Sequence, residues 1–165
     1  MKPVLIPIEN EYANAVIDLV LNIQQNEFNI AITLEDQPDL LDITNFYHAG
    51  GGGFWGAFVD EELVGTIALV KFDDNAAAIR KMFVKKEFRG KEHGIAQKLL
   101  DTLIHYCKEN GIDDLYLGTV SVLEAALRFY ERNHFDRIEK ESLPKKFPVM
   151  SADNVFCHLN LKELK

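Results

Sequence analysis

The stretch M-F-V-K-K-E-F-R-G-K-E-H-G-I-A-Q-K-L-L, from Met82 to Leu100, decides the reading of this chain. It begins as the end of an apolar strand, crosses a basic loop and becomes a helix. Ile95, Ala96, Leu99, Leu100, Leu103, Ile104 and Cys107 recur at helical spacing, and Asn110–Gly111 ends the run, with Gly111 suited to the left-handed position after a C-cap. Gly94 and Ala96 stand where the loop turns into the helix. Their lack of bulk lets the backbone approach a ligand closely, while first-turn amides point outward without helical partners. Those amides and the helix dipole favour an anion. Lys85, Lys86, Arg89 and Lys91 gather at the same loop, in a chain whose formal net charge is −8. A pyrophosphate fits these features. An ordinary strand–loop–helix connection with a solvated basic loop fits them too. The chain has no G-K-[ST] and no G-x-G-x-x-G, which excludes a nucleoside-triphosphatase loop and the dinucleotide fingerprint.

On the N-terminal side of this stretch the pattern is of strands. Phe54–Val59 and Leu63–Phe72 form a hairpin pattern across Asp60, Glu61 and Glu62, and Asp73–Asn75 turns the chain into a third strand over Ala76–Val84. Further back, Gly50–Gly53 breaks the chain. Leu40–His48 reads as a short helix, Gln24–Asp39 as irregular, and Glu11–Ile23 as a helix with Ala13, Val16, Ile17, Val20 and Leu21 on one face. Val4–Ile8 is a first strand. On the C-terminal side, Leu115–Thr119 is a strand and Ser121 with Glu124 forms an S-x-x-E capping box opening a helix. Strands over Phe135–Lys140 and Asn154–Leu161 close the pattern. This order predicts a mixed α/β (α+β) sheet flanked by helices rather than a doubly wound parallel fold.

The 165 residues fit a single domain over 1–165, with no repeat or Gly/Ser linker to divide them. Hydrophobic residues at 47% against 27% charged place the chain among globular rather than disordered sequences. The acidic surface disfavours nucleic acid and suits a cationic acceptor such as an amine. No apolar run reaches the ~18 residues a membrane span needs. Met1–Asn10 shows no secretory signal, and Cys107 and Cys157 lack C-x-x-C spacing, so the expected setting is a reducing cytoplasm with both thiols as buried fillers.

The Met82–Leu100 stretch resembles the cofactor motif of the GNAT superfamily of N-acetyltransferases, [QR]-x-x-G-x-[GA] after a strand. The matching register is K-E-H-G-I-A, Lys91–Ala96, and Arg89–Gly90 resembles the R-G that opens this loop in the family. Downstream, A-L-R-F-Y-E-R-N-H-F, Ala126–Phe135, is similar to the family's A-x-x-x-Y-E-x-x-G-F. The resemblance implies a GNAT-like, mostly antiparallel central sheet and acetyl-CoA as cosubstrate, with no metal. It implies that main-chain groups of Phe83 and Val84 meet the pantetheine arm. Amides of Arg89, Gly90, Lys91, Glu92, His93, Gly94, Ile95 and Ala96 would hold the pyrophosphate. Tyr130 would stand at the thioester sulfur as general acid to the leaving thiolate. A non-catalytic acyl-CoA sensor is the alternative reading.

The sequence departs from the family pattern at three places. Leu123 replaces an Asn that contacts the cofactor, Asn133–His134 replaces the Gly before Phe135, and Ala78 stands where some members carry a Glu base. An amine that is protonated near neutrality must still lose a proton to attack. Glu35, Asp36 and Asp39, in the segment that forms the acceptor wall in this family, are the candidate relay. Phe28, Glu35, Asp36 and Tyr47 are the expected acceptor-binding residues, beside Phe54 and Trp55, which also suit the core. The acceptor would be a small-molecule or peptide amine. Strands near the C-terminus leave a homodimer open.

Overall fold

The computed structural model describes residues 2–90 and 92–163. Strand β1 (Val4–Pro7) is followed by a short 3-10 turn, then helix α1 (Ala13–Leu21), which widens into a π-helical segment over Asn22–Glu27. An irregular stretch holds a 3-10 turn at Pro38–Leu41 and a π-turn at Thr44–His48. Three strands then meander: β2 (Gly53–Val59), β3 (Glu62–Asp73) and β4 (Ala76–Val84). Helix α2 (Ile95–Glu109), β5 (Asp114–Thr119), α3 (Glu124–Arg132), β6 (Asp136–Ile138) and β7 (Val155–Asn160) complete the order. The seven strands form one sheet in the order β1-β2-β3-β4-β5-β7-β6. Every pairing is antiparallel except β4 with β5.

Local chemistry explains most of these boundaries. Asp60 and Glu61 both take positive φ, 50° and 69°, the geometry of a two-residue hairpin whose twist matches its strands. Gly111 at φ 70° follows the end of α2 in the left-handed position expected of it. His134 at φ 73° fills the corresponding position after α3, where the family pattern has glycine. The capping box does not form. Helix α3 starts at Glu124 with Leu123 before it and no side-chain cap. Ser121 lies outside the helix, its N–H donating 2.9 Å to Oδ1 of Asn154, so a distant loop satisfies the group that the box would have used.

The sheet is covered on both faces. Phe54 and Ala68 face α1 with Val16, Val20, Leu40 and Tyr47. Trp55, Ala57, Ile67 and Leu69 face α2 with Leu99, Leu100 and Leu103. Burying each of those α2 leucines contributes ~1.5–3 kcal/mol. Cys107 on α2 and Cys157 on β7 are buried free thiols, with burial pushing Cys107 up to about 12 and Cys157 to about 11. Among the described residues no helix is long and apolar enough to cross a membrane.

Candidate active site between strands β4 and β5

Parallel pairing of β4 with β5 runs only from Ala76–Asp114 to Ile79–Leu117. Beyond it β5 continues with β7 and β4 with β3, so the two strands part and leave a wedge. A cleft of ≈ 100 Å³ occupies the wedge. Ile79, Met82, Phe83 and Leu117 belong to its apolar lining, and Leu123, Ala126 and Tyr130 of the α3 segment line it as well.

A bulge shapes the β4 wall. Thr66 pairs with Phe83 and Ala68 with Arg80, so Ile67 alone opposes both Lys81 and Met82. Lys81 sits at φ 53°, a conformation that costs a non-glycine residue ~1–3 kcal/mol. Its carbonyl accepts a 2.7 Å hydrogen bond from the buried Thr66 hydroxyl, which holds the irregularity in place. An unbroken strand sends neighbours to opposite faces; the bulge lets both Arg80 and Lys81 line the cleft.

The ammonium of Lys81 is buried and partnered. Nζ donates 2.5 Å to Oε1 of Gln37 and lies 3.6 Å from Oδ2 of Asp39. Gln37 also donates 2.8 Å to Oε1 of Gln24, and the Tyr47 hydroxyl donates to Asp39. Burial pulls Lys81 below the usual lysine range, with Asp39 opposing, and lifts the Tyr47 phenol well above its usual value. Arg80 donates to the Pro148 carbonyl and, among the described residues, has no carboxylate within ion-pair distance.

Asp153 faces the same cleft from the loop before β7. Among the described residues its carboxylate has neither hydrogen-bond nor ion-pair partner. Burial raises it to about 6, with Arg80 and Lys81 pulling it down. It packs hard on β5: a Cβ on Gly118 would lie 2.4 Å from Oδ2. Tyr130 is also buried, its ring edge-on to Phe129 and Phe135, and its hydroxyl has no protein partner among the described residues. Burial lifts this phenol far above its ordinary range, with Cys157 and Asp153 adding to the effect, so it stays protonated.

At the other end of β4 lies the basic loop. Lys85 N–H donates 2.8 Å to Val64 O, so by strand alternation Phe83 turns its main-chain groups toward β3 and Val84 turns its own toward the wedge. The Val84 carbonyl accepts 2.8 Å from Arg89 Nε. The Arg89 guanidinium also forks onto Glu27, Nη2 to Oε1 at 2.7 Å, and lies 5.6 Å from the Phe28 ring centroid. Arg89 therefore ties the loop to the segment after α1. Gly90 at φ 112° and Gly94 at φ 64° turn the loop into α2. The N–H groups of His93 and Gly94 are spent on Gly90 O, both at 3.2 Å. No side chain caps α2, and its first turn reaches Lys98 N–H before Gly94 O accepts, leaving the amide of Ala96 free toward the loop. Glu92 is exposed, Ile95 is buried under the helix, and Lys91 lies outside the described residues.

The residues expected to hold the acceptor do not gather at the cleft. Glu35 and Asp36 are exposed on a turn, where Asp36 accepts 2.9 Å from Thr33 N–H. Phe28 lies under Arg89, Tyr47 is wholly buried on Asp39, and Phe54 and Trp55 are core. Ala78 is buried beside Phe147 and Phe156, away from the opening. From the expected acceptor segment it is Gln24, Ile30, Ile32 and Gln37 that line the cleft. Sequence reasoning missed Arg80, Lys81 and Asp153; a strand carrying two adjacent cations was the one local signal.

The fold and this wedge define a GNAT-type acyl-CoA-utilising architecture, and comparison agrees. The Acetyltransferase (GNAT) family matches residues 17–135. A crystallised GNAT-family acetyltransferase from Staphylococcus aureus Mu50 is 42% identical, superposes with a TM-score of 0.93, and is covered over 99% of its length by 96% of this chain. The fold is also similar to the PaiA N-acetyltransferase of Thermoplasma acidophilum, solved in complex with coenzyme A, at TM-score 0.75 and 18% identity over 97% of this chain and 99% of that one. Among curated proteins, an N-acetylaspartate synthetase of Danio rerio is 36% identical over 102 residues, 61% of this chain and 36% of that protein. The matches span 36% to 48% of the length of such curated relatives. The chain belongs to the GNAT acetyltransferase family.

Proposed function

We propose that this chain is an N-acetyltransferase that moves an acetyl group from acetyl-CoA to an amine by direct attack. The observation that carries the reading is the β4–β5 wedge, whose cleft is lined by Phe83 near the end of β4 and by Tyr130, with the glycine-turned loop into α2 following directly on β4. The pyrophosphate of acetyl-CoA would lie on the loop from Arg89 to Ala96, its pantetheine arm beside Phe83 and Val84, and its thioester in front of Tyr130. Val84 offers main-chain groups to that arm, Phe83 its side chain.

The amine nitrogen attacks the thioester carbonyl carbon, a C–N bond forms, and the C–S bond then breaks. Tyr130 donates a hydrogen bond and then its proton to the departing sulfur. The cationic nitrogen of the tetrahedral species is far more acidic than the phenol, so its proton replaces the one Tyr130 gives up. The products are an acetamide, the free thiol of coenzyme A and one proton released from the original ammonium. Holding the two reactants in line supplies much of the acceleration, since a neutral amine is already a good nucleophile.

The test is acetyl-CoA binding by calorimetry, followed by thiol release over a panel of amines. Wild-type binding lost in Gly94→Glu, together with thiol release reduced in Tyr130→Phe, is the expected result. Binding without turnover on any amine supports a sensor instead, and no binding overturns the reading.

A further inference from the structure

We infer that the acceptor is a small molecule carrying both an ammonium and a carboxylate, an amino acid in the broad sense, with Arg80 taking the carboxylate and Asp153 taking the ammonium and then its proton. The inference rests on the acetyltransferase reading of the same cleft and adds the class of substrate to it.

The argument is one of charge placement. Arg80, Lys81 and Asp153 are the charged side chains that line the wedge among the described residues, and Asp39 lies against Lys81. Lys81 and Asp39 are mutually compensated at 3.6 Å, deep in the network with Gln37 and Tyr47. That leaves Arg80 and Asp153. Both line the cleft, and among the described residues neither has an ion-pair partner within reach, including each other. The Pro148 carbonyl uses one N–H of the Arg80 guanidinium, which fixes its orientation and leaves further donors for the cleft. A cation and an anion that line one narrow cleft without forming an ion pair with each other are complementary to a zwitterion. A plain amine would satisfy Asp153 and leave the half-buried Arg80 without a counter-charge in the cleft. A cleft of ≈ 100 Å³ also limits the guest to a compact molecule, or to the end of a longer one.

Asp153 is suited to the proton as well as to the charge. It is half-buried, carries no hydrogen bond on its carboxylate among the described residues, and shares the cleft with the Tyr130 hydroxyl. An ammonium docked on it loses one proton to the carboxylate, the neutral nitrogen attacks the thioester, and the carboxylic acid returns the proton to water. This carboxylate comes from the loop before β7, and so fills the role that Ala78 cannot fill on β4.

The experiment measures kcat/KM for acetyl transfer to free α- and ω-amino acids, to their amides and to the matching amines without a carboxylate. Acetyl-CoA affinity is measured in parallel by calorimetry. At least one free amino acid is expected to exceed its amide by about 100-fold or more, because the amide strands the Arg80 charge. Arg80→Gln is expected to abolish that preference through KM, with Arg80→Lys restoring part of it and acetyl-CoA affinity unchanged in both. Asp153→Asn is expected to lower kcat by about 100-fold with acetyl-CoA affinity intact. If acetyl-CoA binds and amides or simple amines are acetylated as well as the acids, the zwitterion assignment is overturned while the acetyltransferase reading stands. A preference that survives in folded Arg80→Gln overturns it equally. Loss of acetyl-CoA binding in the wild type brings down both.

Discussion

The Lys81 ammonium lies 3.6 Å from the Asp39 carboxylate, with both side chains almost wholly out of water. The two residues are far apart in sequence, one in the irregular segment after α1 and the other in the β4 bulge. Their contact fastens the segment after α1 to the central sheet. Removing one partner of a buried ion pair leaves the other charge uncompensated. Asp39→Ala is expected to destabilise the fold by about 3–5 kcal/mol in urea unfolding. A loss within experimental error would show that the pair holds nothing together.

Asp153 supplies a stability prediction with a defined sign. Burial raises its folded-state value from 3.8 to about 6. The folded protein therefore holds this proton more tightly than the unfolded chain does. The stability that results is fully present below about pH 4 and is lost as pH rises through about 6. Asp153→Asn is expected to stabilise the protein by up to about 3 kcal/mol near neutrality and to change little at about pH 4. Urea unfolding at the two pH values checks this, and a variant less stable near neutrality contradicts it.

The same carboxylate predicts a pH profile. The groups that face it are Arg80 and Lys81 from β4 and the Tyr130 phenol from α3. Only ionised Asp153 can take the ammonium proton, so kcat/KM should rise through about pH 6. It should fall again where the free acceptor loses its own proton. Profiles of wild type and Asp153→Asn decide the matter: the acidic limb should vanish in the variant.

Gly118 gives a test of placement that leaves every charge in the site unchanged. A methyl group there would come within 2.4 Å of Asp153 Oδ2 and 3.0 Å of Phe156 Cε1, so the carboxylate must move. Gly118→Ala should lower kcat by about 10-fold or more through misplacement, with acetyl-CoA affinity retained. Unchanged turnover would mean that the position of Asp153 does not matter.

Arg89 separates cofactor binding from chemistry. Its fork onto Glu27 and its bond to Val84 O brace the basic loop against the segment after α1. Arg89→Ala should raise KM for acetyl-CoA several-fold, by about 1 kcal/mol of binding, with kcat little changed. A fall in kcat alone would place Arg89 at the reacting centre instead.

The order of the elements and the glycine-bearing loop into α2 were legible in the residues themselves. Apolar runs bounded by acidic turns marked β2, β3 and β4, strands buried on both faces, and the apolar stripe from Ile95 to Cys107 marked α2, buried on one. Gly111 was readable because a positive φ is a local demand, whereas Gly94 was read for its lack of bulk and the structure adds its positive φ. Tyr130 was found through its motif, and the structure adds its burial and its open hydroxyl. The start of α3 shifted where Asn154 took the Ser121 N–H, and α1 is shorter than expected because its ends pass into 3-10 and π-helical turns.

The charged lining of the cleft was decided by tertiary structure alone. Glu35, Asp36 and Asp39 are one kind of residue in one short segment, yet only Asp39 is buried, and it is buried because Lys81 and Tyr47 meet it there. Nothing in a local pattern foretells the bulge that lines the cleft with both Arg80 and Lys81, since the bulge is a mismatch between two strands. Asp153 sits in a loop whose composition looks like any solvated turn. It becomes a half-buried carboxylate in the cleft, unpartnered among the described residues, only because β5 leaves β4 after Leu117 and carries that loop to the opening. Sequence patterns report which face of an element is buried; which charges end up sharing a desolvated cleft depends on contacts between segments far apart in the chain.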